Sequence, residues 1–202
     1  MGLVVQIKGD RSHDVVEKGL QVLEHMVHRG AESADNKTGD GAGILLQIPH
    51  EFILLQGIPV PERGHYGTGL VFLPRLEQEA ELCMSIIRET IQKEGLSLLA
   101  VRDVPVASET LGEISRSHEP LIKQIFVVGP CKHEALERKL YVVRKKIERA
   151  VSRSGMSGKK SFYVVSLSGT RIVYKGMLTS DQLRSYFPDL SHPNLTSAIA
   201  LV

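Results

Sequence analysis

The chain has 202 residues, 42% of them hydrophobic and 24% charged, with a formal net charge of +2. That is enough apolar material for a sizeable core and too little net charge for disorder to be the main state. Two cysteines and no tryptophan exclude a disulfide-framework protein and a surface built for stacking nucleic-acid bases.

In chain order, Leu3–Lys8 is a short apolar run ending at Gly9-Asp10, which predicts a strand and turn. Val16, Leu20, Leu23 and Val27 recur at helical spacing between Ser12 and Val27, with Ser12 as the expected N-cap. Gly19 interrupts this helix at an expected cost of about 1 kcal/mol relative to alanine. Gly43–Ile48 predicts a buried strand closed by Pro49. A Pro/Gly-rich surface stretch, Gly57–Gly67, then precedes a short strand at Leu70–Leu73.

Leu76, Ala80, Cys83, Ile87 and Ile91 define one face of a helix that Gly95 is placed to end. Leu98–Val104 and Leu121–Val128 are expected strands. Leu136, Leu140, Val143 and Ile147 stripe a second long helix over Glu134–Val151. Phe162–Leu167 and Arg171–Lys175, joined by Ser168-Gly169-Thr170, predict a hairpin. Ser180–Tyr186 is a short helix, followed by a loop holding Pro188 and Pro193. No repeat, linker or membrane-spanning run interrupts this pattern, so one domain mixing helices and strands over residues 1–202 is expected. Met1-Gly2-Leu3-Val4-Val5 is too short for a signal peptide, and a reducing cytoplasmic setting fits the two cysteines.

The densest feature is His28-Arg29-Gly30 followed by Thr38-Gly39-Asp40-Gly41-Ala42-Gly43 leading into a strand. The spacing G-x-G-x-G ahead of a strand fits neither the dinucleotide fingerprint nor the P-loop, and leaves a turn or a ligand-facing loop. Arg29 has the guanidinium geometry to clamp a carboxylate, or it offsets a helix C-terminal dipole. His13, His25 and His28 lack the companion Cys or carboxylate of a metal-ligand spacing, so no metal is expected. Cys83 lies on an apolar helix face and reads as inert core. Cys131 follows Gly129-Pro130 and stands beside Lys132 and His133, a setting that can lower a thiol pKa, but it reads as an incidental surface thiol rather than a nucleophile. Lys132–Arg153 carries eight basic residues against three acids. The apolar stripe of the same segment makes this the solvated face of an amphipathic helix rather than a nucleic-acid surface.

Several stretches, in order and nearly end to end, resemble one family. They include Ile7-Lys8-Gly9, Ser12-His13-Asp14-Val15-Val16-Glu17, His28-Arg29-Gly30-Ala31 and Lys37-Thr38-Gly39-Asp40-Gly41-Ala42-Gly43-Ile44. Glu137-Arg138-Lys139-Leu140-Tyr141-Val142-Val143-Arg144-Lys145 and Ile172-Val173-Tyr174-Lys175-Gly176-Met177-Leu178-Thr179 complete the set. These blocks resemble the N-terminal class II glutamine amidotransferase domain of the glutamate synthase large subunit. The resemblance implies an α+β fold, the four-layer αββα sandwich of the N-terminal-nucleophile amidotransferases, incomplete at its C-terminus.

It further implies hydrolysis of glutamine to glutamate and ammonia, the ammonia serving reductive glutamate synthesis from 2-oxoglutarate elsewhere in the enzyme. The family nucleophile is an amino-terminal cysteine whose own α-amine is the base. In this sequence Met1 aligns within or just after the family's opening Cys-Gly-x-Gly segment. At the other end Ser197–Val202 resembles the strand before the family's His-Ser-Arg-Phe segment. A chain lacking the nucleophile, truncated at both ends and inactive alone is therefore expected, with no catalytic residue carried over. The alternative is a non-catalytic scaffold or interaction subunit of a split glutamate synthase. Only Arg29 and Gly30 carry over as substrate-binding residues, lining the glutamine pocket; the Thr38–Gly43 loop is expected to be structural support. No cofactor is expected in this chain, FMN and the iron–sulfur cluster belonging to other domains of the family. The expected partners are those remaining domains or subunits, with no nucleic acid or membrane. The incomplete sheet predicts self-association into a homo-oligomer.

Overall fold

The computed structural model describes residues 1–26 and 37–202. In chain order these form β1 (Leu3–Val5), α1 (His13–Glu24), β2 (Ala42–Gln47), α2 (His50–Leu55), β3 (Tyr66–Leu73), α3 (Glu77–Lys93) and β4 (Ser97–Asp103). Next come α4 (Glu113–Ser117), β5 (Leu121–Val128), α5 (His133–Arg153), β6 (Tyr163–Val164), β7 (Arg171–Gly176), α6 (Gln182–Tyr186) and β8 (Ile199–Leu201). They fall into two compact units: Met1–Gly57 with Pro105–Glu119 and Val173–Val202, and Ile58–Val104 with Pro120–Ile172.

The first unit is built on a sheet of order β1-β8-β2-β7. β8 lies antiparallel to β1, with Val4 opposite Ala200, and antiparallel to β2, with Leu46 opposite Ala200. Along β2 the pleat sends Ala42, Ile44 and Leu46 to a buried face and leaves Gly43, Leu45 and Gln47 half-buried. Helix α1 turns Val15, Val16, Leu20 and Leu23 inward, as the spacing predicts. Ser12 is its N-cap residue, but the hydroxyl makes no capping bond; its backbone is instead paired with Ser197.

Gly19 is not a mere propensity defect. A Cβ there would lie 2.6 Å from Ala200 Cβ and 3.2 Å from Ile44 Cδ1, so its bare backbone is what lets α1 reach the sheet. Further along, Tyr174 donates to Asp189 Oδ2 at 3.1 Å, and Phe187 stacks edge-on against Tyr174 and Tyr186.

The second unit carries an antiparallel sheet of order β4-β5-β3-β6. β3 and β5 pair along their full lengths, from Tyr66 opposite Val128 to Leu73 opposite Leu121. One face meets α3 and α5: Cys83, Ile87 and Ile91 join Leu136, Leu140, Val143 and Ile147 over Val71, Leu73, Ile125 and Val127. α3 ends where predicted, with Gly95 at φ +70 and Leu96 N–H donating to Ile91 O at 3.1 Å.

Three expectations need correction. β3 starts at Tyr66, four residues before the expected strand, because Gly67 and Gly69 are packing glycines rather than turn residues. A Cβ at Gly67 would meet Leu140 Cδ1 at 2.3 Å, and one at Gly69 would meet Ser166 O at 1.6 Å. The hairpin over Phe162–Lys175 does not form: β6 pairs with β3 while β7 belongs to the sheet of β2. Ser168-Gly169-Thr170 is held instead by Glu137 of α5, whose carboxylate accepts from Ser168 Oγ at 2.8 Å and Gly169 N at 2.6 Å. Helices α2, which follows Pro49, and α4 were not expected at all. Two antiparallel sheets, each with its own helices, make the fold α+β as the resemblance implied.

Candidate functional site

The glycine-rich run before β2 is placed by its lack of side chains. A Cβ on Gly39 would stand 2.2 Å from Leu178 O, and one on Gly43 would stand 2.7 Å from Lys175 Cβ. Gly41 adopts φ +139, a conformation that L side chains rarely reach. Three glycines thus answer two needs, close approach to residues 174–179 and one backbone turn. This agrees with the expected structural-support role of the loop.

The same run also lines a cleft of about 590 Å³ in the first unit. Residues 40–45 form one wall, Val173 and residues 175–177 another, and Met1, Leu201 and Val202 close it. The chain ends meet there because Gly2 and Val202 exchange two backbone hydrogen bonds, at 2.7 and 2.8 Å. The ammonium of Met1 lies 3.8 Å from Met26 Sδ, just past the end of α1. Leu45, Val173 and Leu201 provide apolar surface, while Asp40 and Lys175 are charged residues of the lining.

Of the residues singled out from sequence, Arg29 and Gly30 lie outside the described residues, as do Val27 and His28. Asp40 and Lys175 were not singled out as ligand-facing residues. Both sat inside blocks that carried the family resemblance, which was the only signal marking them.

The two thiols belong to the other unit. Cys83 is fully buried, and burial, aided by the nearby Glu79 carboxylate, pushes its pKa up to about 11. Cys131 packs half-buried against the core of α3 and α5. His13 is occupied structurally, one ring nitrogen 2.9 Å from Leu195 O and the other 3.1 Å from Glu17. Among the described residues no group of three or more His, Cys, Asp or Glu is placed to hold a metal ion, and no helix is long and apolar enough to cross a membrane. On α5, Arg138 pairs with Glu134, Arg144 and Lys145 with Glu148, and Lys146 with Glu94, so part of its basic charge is neutralised within the chain.

Two helix-bearing antiparallel sheets define an α+β protein, and the glycine-rich run before β2 lines a cleft in its first unit. Over residues 1–202 the sequence matches the profile of the class II glutamine amidotransferases. It is 38% identical over 207 residues to the glutamate synthase [NADPH] large chain of Bacillus subtilis, and 36% identical over 207 residues to ferredoxin-dependent glutamate synthase 2 of Synechocystis. It is 38% identical over 218 residues to the glutamate synthase [NADH] of Saccharomyces cerevisiae. Each comparison covers 100% of this chain, but the chain spans only 13%, 13% and 10% of those relatives' lengths. The chain belongs to the class II glutamine amidotransferase family, of the type found in glutamate synthases.

Proposed function

We propose that these 202 residues form part of a single glutamine amidotransferase domain serving a cytoplasmic glutamate synthase, and that the cleft at the paired chain ends is its glutamine site. The observation that carries this reading is the cleft itself: apolar walls for the substrate's methylenes, with Lys175 and Asp40 for its charged groups. Arg29 and Gly30, of the His-Arg-Gly motif, are its substrate-binding residues, lining the glutamine pocket. The reaction served is hydrolysis of the side-chain amide to glutamate and ammonia. Ammonia then passes to other domains or subunits, which supply FMN, the iron–sulfur cluster and the reductive step on 2-oxoglutarate.

The thiol of that reaction is not among these 202 residues. Cys83 is buried and held neutral, Cys131 is built into the wall of a helix-packed core, and neither carries the free α-amine that the family's nucleophile uses as its base. Incubating the purified polypeptide with glutamine and measuring ammonia therefore gives no turnover above buffer. Sustained turnover that survives Cys83→Ala and Cys131→Ala together overturns this part of the reading.

A further inference from the structure

Helix α1 opens on a histidine whose two ring nitrogens are both engaged. Nδ1 of His13 lies 2.9 Å from Leu195 O, 182 residues further on, and Nε2 lies 3.1 Å from Glu17 Oε1, one turn along the helix. A carbonyl oxygen can only accept. The Glu17 carboxylate is restricted in the same way. Its other oxygen takes Nη1 of Arg184, and that hydrogen bond holds the carboxyl below its ordinary value of 4.5, so near neutral pH it carries no proton to give. A neutral imidazole has one N–H to donate, and these two acceptors call for two.

The ring joins two parts of the first unit that lie far apart in sequence. Leu195 belongs to residues 192–198, which lead into β8, and Ser12 exchanges two backbone hydrogen bonds with Ser197 of the same segment, at 3.1 and 3.2 Å. β8 runs on to Leu201 and Val202 in the lining of the cleft. With the His13 side chain only 20% exposed, solvent poorly replaces a partner that either ring nitrogen loses.

Besides Glu17, the charged and titratable groups on the elements around His13 are these. Asp14 and Lys18 of α1 pair with each other at 2.7 Å, and Arg184 of α6 is shared between Glu17 and Glu24. Asp10 and Arg11 precede the helix, and Arg11 donates to Ile48 O. His192 stands in the segment before β8, its Nδ1 accepting from Asn194 N and its ring edge-on to Phe52. β1 and β8 bring no charged side chain.

We propose that His13 is a proton-operated latch: doubly protonated, it ties the first turn of α1 to the segment that leads into β8, and on losing a proton it lets go of one partner. The neutral ring turns a lone pair toward an acceptor, so that one of the two contacts changes from attraction to repulsion. The sign follows from which form the fold holds. Folding favours the charged ring, so the latch stabilises on the acid side of the imidazole range and is lost as pH rises through it. This is independent of what the cleft binds.

The test uses the 202-residue polypeptide with His13→Gln, Glu17→Gln and the two combined. Nitrogen-15 NMR of the imidazoles reads ring protonation directly, and urea midpoints are taken between about pH 5.5 and about pH 8.5, the span over which histidine changes charge. At about pH 7, where an exposed imidazole carries mostly one proton, His13 shows both nitrogens protonated. Glutamine at position 13 keeps a donor but has no proton to lose, so the midpoint gap between parent and His13→Gln falls by about half or more across that span. Glutamine at position 17 can donate as well as accept, which lets a neutral ring meet both partners. In the Glu17→Gln background the gap from exchanging His13 therefore stays constant with pH.

A singly protonated His13 at about pH 7 overturns the latch, whichever nitrogen holds the proton. A parent gap that does not change with pH overturns it as well, and so does a gap that shrinks equally in the Glu17→Gln background. Amide hydrogen exchange in peptides covering residues 192–202, corrected for its intrinsic pH dependence, locates the release. Protection there falls toward the alkaline end in the parent and stays level in His13→Gln; level protection in both overturns the coupling to β8.

Discussion

Replacing Gly19 by alanine separates two opposed effects. In a solvent-exposed helix interior this change stabilises by about 1 kcal/mol, because alanine loses less backbone freedom on folding. At this site the new methyl would sit 2.6 Å from Ala200 Cβ and 3.2 Å from Ile44 Cδ1. Carbon atoms rest at about 3.5–4.0 Å, so the helix and β8 must separate by about 1 Å, while the end of Ile44 has only to give slightly. A close-packed interior absorbs such a shift at about 1–3 kcal/mol. Steric cost outweighs propensity, and Gly19→Ala is expected to destabilise by about 1–2 kcal/mol in urea unfolding followed by far-UV circular dichroism.

Ala200→Gly removes the atom responsible and costs about 1–2 kcal/mol by itself, from a lost methyl and a looser strand. With both changes present, the nearest remaining neighbour of the new methyl is Ile44 Cδ1 at 3.2 Å. The double variant should therefore be more stable than the sum of the two singles by about 1 kcal/mol or more. Strict additivity, or a Gly19→Ala protein more stable than the parent, would refute the close-approach explanation.

Hydrogen bonding from Arg184, with its charge, holds the Glu17 carboxyl below its ordinary value of 4.5. A group whose folded pKa is depressed adds stability above its unfolded pKa and loses it as pH falls through the folded one. The stability gap between the parent and Arg184→Met should accordingly be constant above about pH 5 and close below pH 4.5 in acid titrations monitored by urea unfolding. Iodoacetamide at pH 8 should label Cys131 in the native protein and reach Cys83 only after denaturation, by peptide mass spectrometry; rapid native labelling of Cys83 contradicts its burial. Glu137→Ala strands the Gly169 N–H and Ser168 hydroxyl that the carboxylate accepts from, and should cost about 1–3 kcal/mol in the same unfolding assay. β1 is bonded to β8 along one edge and displays exposed Leu3 and Val5, so light scattering should find the polypeptide self-associated; a monodisperse monomer counts against this.

The three long helices were legible because a period of 3.6 survives over twelve or more residues: Val16, Leu20 and Leu23 of α1, Ala80, Cys83, Ile87 and Ile91 of α3 and the whole stripe of α5 are buried, while Leu76 precedes α3 and is exposed. Short elements lack that redundancy. α2 is six residues following a proline, too brief for any period to emerge. β3 was clipped at its start because glycine signals both a turn and a close contact, and only the neighbours decide between them. For Gly67 and Gly69 those neighbours are Leu140 and Ser166, about 70 and 100 residues away in sequence, beyond the reach of local reasoning. The hairpin failed for a related reason. Two strand-like runs with Ser-Gly-Thr between them make a sound local turn, but Glu137 captures that turn from a distant helix and the runs join different sheets.

The candidate site was less legible than the fold, and resemblance carried what periodicity did not. Cleft residues come from the amino end, β2, β7 and β8, and no spacing rule links Asp40 to Lys175. The glycine run was the exception, since alternate glycines ahead of a strand announce a backbone that something must approach. What approaches is, in the first place, the protein itself: Lys175, Leu178 and their neighbours fill the space that side chains would have occupied. Packing against the protein and lining the cleft are then not rival readings of residues 38–43. Gly39 and Gly43 pack against residues 174–179, while residues 40–45 form one wall of the cleft.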